Sequence, residues 1–187
     1  MRFFVGAVLV VVLSFCGVHV NAQFVVQRGV TFGNVIRFEQ SLHANKLTDV
    51  HQGPLLKPNA PGLPEITVYK RALVFQRIDG TDTLEALYTG ESNADVPNDK
   101  SPVAEGKFTW RTPAKEHLLV VRDSLLRSLD GTPREFSVGK RKLKKKLVRY
   151  NYAWSDPSGL PTVTIEYGEK AKKPLYLRMT ILYSAAK

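Results

Sequence analysis

Apolar and polar positions alternate with a period of two along most of the chain, and the interruptions are rich in Gly, Pro, Asn and Asp. This is the pattern of short strands separated by turns. The clearest pair covers residues 66–78 and 83–89, on either side of Asp79-Gly80-Thr81-Asp82, whose Asp-Gly step suits a tight hairpin. Residues 24–38 read as two short strands around Gly29 and Gly33, and 107–112 as a strand with Trp110 on one face. The last third alternates most cleanly: Val148, Tyr150, Tyr152 and Trp154 share a face, Asp156-Pro157-Ser158-Gly159 turns the chain, and strands over 162–167 and 175–183 follow.

Residues 118–129 have two readings. As a helix started by Thr112-Pro113, they gather Leu118, Arg122, Leu125, Leu126 and Leu129 on one face. As a strand, they lead through Asp130-Gly131-Thr132-Pro133 into a further strand over 134–138, and that turn favours the strand. About eight to ten short strands predict an all-β fold, a single antiparallel β-sandwich or jelly-roll-like domain with at most one helix around 113–129. No internal repeat of fixed period is visible. Residues 46–64, with Pro54, Pro58, Pro61 and Pro64, and 90–106, with Pro97 and Pro102, read as long irregular loops.

The N-terminus breaks the strand pattern. Arg2, an apolar run over 3–18 and Val20-Asn21-Ala22 have the three zones of a secretory signal peptide. The sequence therefore predicts a signal over 1–22 and one secreted, extracellular domain over 23–187. Cys16 is the only cysteine and lies in the signal, so disulfides and cysteine chemistry are excluded together. A domain of about 165 residues buries enough surface to fold without such staples.

Charge adds the strongest local feature. The chain carries 27 Lys and Arg against 17 Asp and Glu, a net charge of +10. Without Arg2 it is +9, and Lys140, Arg141, Lys142, Lys144, Lys145, Lys146 and Arg149 account for seven of those charges, leaving +2. Such a run repels itself unless water or an anionic partner screens it. The stretch 143–150 resembles heparin-binding segments, in which three basic residues, two others and one more basic residue follow in order.

An exported protein does not ordinarily meet DNA, so the expected partners are acidic extracellular polysaccharide or acidic matrix protein, including acidic components of a mineralised matrix; an anionic lipid surface offers the same electrostatics, and no nucleic acid is expected. Lys170, Lys172, Lys173 and Arg178 extend the patch if the last hairpins lie side by side. Two plainer readings compete: a lysine guard on an edge strand, and a dibasic processing site at Gly139-Lys140-Arg141.

Motifs for catalysis are absent from the sequence. There is no His-Glu-x-x-His, no Gly-x-Ser-x-Gly and no phosphate-cradling glycine loop. His43 and His51 flank Asp49 without a recognised ligand spacing, and the acidic 90–106 stretch lacks the spacing of an EF-hand. No catalytic residue, metal or cofactor is expected. Trp110 and Trp154 read as core. The expected function is that of a secreted non-catalytic adhesive or extracellular-matrix component that binds acidic polymers, with a cationic host-defence or effector protein acting on anionic membranes as the alternative.

Overall fold

A computed structural model of the chain describes residues 24–26, 28–58, 64–129, 135–142, 147–155 and 161–183. Its elements are α1 (Phe32–Ser41), β1 (Asn45–Lys57), β2 (Ile66–Asp79), β3 (Asp82–Ser92), β4 (Glu105–Arg111), α2 (His117–Leu129), β5 (Glu135–Lys142), β6 (Leu147–Ser155), β7 (Thr162–Lys170) and β8 (Lys173–Leu182). The predicted antiparallel, mostly β fold is what forms. All eight strands lie in one sheet of order β1-β2-β3-β4-β8-β7-β6-β5, and among the described residues the layer packed on it is helical.

Register shows that both helices cover the same face. Tyr88 pairs with Gly106, Gly106 with Ile181 and Ile181 with Val163, four residues before Tyr167. Glu39 of α1 accepts a hydrogen bond from the Tyr88 hydroxyl, and Arg122 of α2 sits over the Tyr167 ring. Strand alternation therefore sends Leu73, Phe75, Ala86, Phe108, Ile165 and Met179 into one core beneath the helices. Trp110 joins it, packing edge-on against Phe24, as expected. The opposite face is polar, with Thr164, Thr180 and Lys107 in one row across three strands.

Three expectations are corrected. Residues 32–41 are helix rather than strand, because Thr31 and Asn34 form a reciprocal cap: the Asn34 N–H donates to the Thr31 hydroxyl and the Thr31 N–H to the Asn34 side-chain oxygen. The buried stripe is Phe32, Val35 and Glu39, so a carboxylate in the core hid the helical period from a reading of apolar positions. Residues 117–129 also form a helix, with Leu118, Val121 and Leu125 buried and Val120 exposed. The Asp130-Gly131-Thr132-Pro133 turn expected from the sequence lies outside the described residues.

The third correction concerns the proline-rich stretch. Most of it is β1, an edge strand paired with β2 through two register irregularities, one of them between Gln52 and Leu55. An edge tolerates Pro54 because one side of its backbone has no ladder to complete. The second loop shrinks to 93–104 and packs back on α1, where the Asp99 carbonyl accepts from Gly33 at 2.8 Å and the Ser101 carbonyl from Phe32 at 3.1 Å.

A repeat invisible in the sequence appears in the topology. Each half is a helix followed by a four-stranded meander, and the halves meet where β4 pairs antiparallel with β8. Phe108 and Met179 face each other at this junction; their partners Ala86 and Ile165 lead, two residues on, to Tyr88 and Tyr167. These tyrosines occupy corresponding places. So do their cross-strand partners Leu73 and Tyr150.

Candidate polyanion-binding site

The basic run begins on β5, the last strand of the sheet. Lys140 pairs with Tyr150, Arg141 with Arg149 and Lys142 with Val148. Alternation divides the charges, because Tyr150 shares its sheet face with Tyr167 and Arg149 lies on the other. Lys140 consequently stands on the helix side and Arg141 on the uncovered side, both exposed. Lys144, Lys145 and Lys146 lie outside the described residues, in the four-residue stretch that joins Lys142 to Leu147. Lys142 is described only as a strand position.

The two opposed arginines differ in how they are held. Arg149 donates through Nε to the Tyr176 hydroxyl at 3.2 Å and lies 3.4 Å from Glu166. These two partners, the hydrogen bond first, raise its pKa. Arg141 and Lys140 form no ion pair among the described residues. The Lys140 ammonium instead lies 5.2 Å from the centroid of the Tyr150 ring, a contact that leaves its charge uncompensated. Like charges directly opposite across strands repel, so the Arg141–Arg149 pair depends on Glu166 and on solvent for its stability.

A second hairpin reaches the same corner. Lys170 pairs both with Leu147, where β6 begins, and with Lys173 across the β7–β8 turn. Ala171 and Lys172 form that turn at φ 50° and 66°. Lys170, Lys172 and Lys173 are all exposed. The side-by-side arrangement considered from the sequence is thus present for these three lysines. Arg178 lies further in, opposite Glu166 and 5.2 Å from the Tyr176 ring centroid. The aromatic neighbours Tyr150 and Tyr176 were not singled out by charge spacing; the alternation of β6 was the available signal for Tyr150.

Asp49 receives two hydrogen bonds of 3.0 Å from Arg71, which lower its pKa, and His51 approaches the same carboxylate at 3.2 Å. Arg71 also donates to Asp99 at 2.7 Å, tying β1, β2 and the 93–104 loop together. No group of three potential metal-ligating side chains occurs among the described residues. Among them, too, no helix is long and apolar enough to cross a membrane.

Comparison with known proteins gives no match: no family model, no curated protein and no solved structure is significantly similar to this chain.

Proposed function

We propose that the protein is a secreted, non-catalytic component of an extracellular matrix or adhesive layer that binds an acidic polymer through the corner formed by the β5–β6 and β7–β8 hairpins. The residues engaged are Lys140, Arg141, Lys142, Lys144, Lys145, Lys146 and Arg149, joined by Lys170, Lys172 and Lys173. One observation carries the reading: Lys170 sits beside Leu147, so two separately encoded basic segments converge at one end of the sheet. A lysine guard for an edge strand needs only β5 to be charged. The lysines of the β7–β8 turn are not on an edge strand and have no such duty.

Clustered cations bind a polymer by displacing the counterions condensed along it, so affinity falls steeply with salt. If all seven charges of the run engage, the log–log slope reaches about −5, taking the single-strand coefficient as a guide. The test is elution from heparin-agarose of the intact protein, of a variant with Lys144, Lys145 and Lys146 changed to Gln, and of one with Lys170, Lys172 and Lys173 changed to Gln. Both variants are expected to elute at lower salt. Elution of all three at the same salt removes the proposal. Dye release from anionic vesicles at physiological salt separates the membrane-active alternative, since a matrix binder leaves the vesicles sealed.

A further inference from the structure

The two edges of the sheet differ in how far they are closed. On β1, Lys46 lies 3.5 Å from Asp49, Arg71 donates to Asp49 at 3.0 Å, and Lys57 lies 3.1 Å from Glu91. Its pairing with β2 is broken by two irregularities, one of them spanning Pro54. β5 has neither closure. Lys140 and Arg141 are exposed and form no ion pair among the described residues. The strand pairs with β6 without a break from Glu135 opposite Ser155 to Lys142 opposite Val148, and it contains no proline. Val138 is 56% exposed, and a Cβ on Gly139 would meet nothing nearer than 3.9 Å.

β5 also ends the strand order, so one side of its backbone has no partner strand among the described residues. Such an edge offers a row of N–H and C=O groups that an added strand can complete. Charge decides which strand. A second copy of β5 laid alongside sets cations against cations, and like charges directly opposite each other destabilise a pair. A strand with consecutive carboxylates gains the ladder and the charge together. Lys140 stands on the helix side of the sheet and Arg141 on the uncovered side, and neighbouring residues of an added strand point to the same two sides in turn. The corner prolongs the match: Val148, opposite Lys142, adjoins Leu147, opposite Lys170.

We propose that the free edge of β5 receives an extended acidic segment of a partner protein as a ninth strand, with Lys140 and Arg141 meeting its carboxylates on the two sides of the sheet. This rests on the polyanion-binding reading and narrows it, since the acidic polymer is then a polypeptide. Main-chain hydrogen bonds supply affinity in this mode and side chains supply selection. An acidic polysaccharide has no alternating N–H and C=O groups, so it engages the corner through charge alone. Acidic segments are disordered when free, because their charges repel and they bury little apolar surface. Such a segment reaches the edge with no structure of its own to break. The cations of β5 thus turn away basic and identical strands and admit an acidic one.

The experiment uses the full mature chain at about 150 mM salt, where exposed charges are largely screened beyond about 8 Å. The probes are a peptide of about ten glutamates, long enough for one strand, the same peptide with every backbone amide N-methylated, and a heparin oligosaccharide of matched charge. Methylation keeps the charge and removes every main-chain donor, so the methylated peptide is expected to bind at least about tenfold more weakly. At saturation the unmodified peptide is expected to slow hydrogen exchange of the outward-facing β5 amides about tenfold, and heparin to leave it within about twofold. Changing Lys140 and Arg141 together to Gln is expected to weaken peptide binding about fivefold, with thermal unfolding establishing that the variant is folded. Equal binding of the two peptides with unchanged β5 exchange overturns strand addition while the basic corner stands. Binding of heparin with neither peptide bound overturns it in favour of a polysaccharide. Failure of all three probes to bind overturns the polyanion reading itself.

Discussion

In the N-terminal half, α1 sinks Glu39 completely, where it takes two hydrogen bonds from Arg77 and one from Tyr88. In the C-terminal half, α2 sets a partly exposed arginine, Arg122, over the corresponding tyrosine, and on that face of the outer two strands Tyr150 and Tyr152 are half-buried and Val138 is exposed. The sheet edges differ in the same sense. β1 is a long edge carrying exposed Leu47, Val50, Leu55 and Leu56, interrupted by Pro54 and two irregularities; β5 is short and charged. Such devices protect an edge from further pairing, but they do so by different chemistry. One topology thus serves two purposes: the first half invests its polar groups in its own interior, and the second presents them outward.

The sharpest way to break this comparison is Glu39→Ala. It leaves the Arg77 guanidinium in the core without its carboxylate, and removing one partner of such a pair costs about 3–5 kcal/mol. Arg122→Ala loses a contact over a ring at a wetter site and is expected to cost about 1 kcal/mol. Urea unfolding of the two variants measures the difference, and equal losses contradict the asymmetry.

Glycine substitutions probe packing in the same two halves. A Cβ on Gly90 meets the Pro102 carbonyl at 2.6 Å and the Phe32 ring at 2.9 Å, whereas one on Gly139 finds nothing nearer than 3.9 Å. Gly90→Ala is expected to lower stability by about 1–3 kcal/mol through overpacking. Gly139→Ala is expected to be neutral or to stabilise by about 0.5 kcal/mol, since the more restricted residue fits without strain. Thermal melts of both variants give the comparison.

Alkaline pH tests the buried tyrosines of the shared core. Burial raises the pKa of Tyr88 well above the usual tyrosine value, and that of Tyr183 as well. Both must stay protonated in the folded chain, so their contribution is whole below the unfolded pKa of about 10 and is lost as pH rises through the folded values. Unfolding free energy is therefore expected to decline above about pH 10. The Tyr183 hydroxyl is buried without a hydrogen-bond partner among the described residues. Tyr183→Phe is expected to stabilise by about 1 kcal/mol at neutral pH and to flatten the alkaline decline; a steeper decline in that variant contradicts the assignment.

The legibility of the sequence followed the chemistry of each segment. β2, β3, β6 and β7 were readable because one of their faces is apolar and the other polar, and the Asp79 to Asp82 turn carries its own signal. α1 was misread because Glu39 occupies a core position and Phe24, Val26, Val30 and Phe32 mimic strand spacing. β1 was misread because an edge strand with both faces wet has no hydrophobic alternation to betray it. The basic run was evident from charge alone. Its convergence with Lys170, Lys172 and Lys173 depends on strand order, which no local pattern encodes.

The most direct measurement is an amide chemical-shift titration of the mature protein with a heparin oligosaccharide. The account predicts perturbations gathered on β5, β6 and the β7–β8 turn, with β1 to β4 silent. Perturbations centred on the N-terminal half, or none at saturating oligosaccharide, would contradict it.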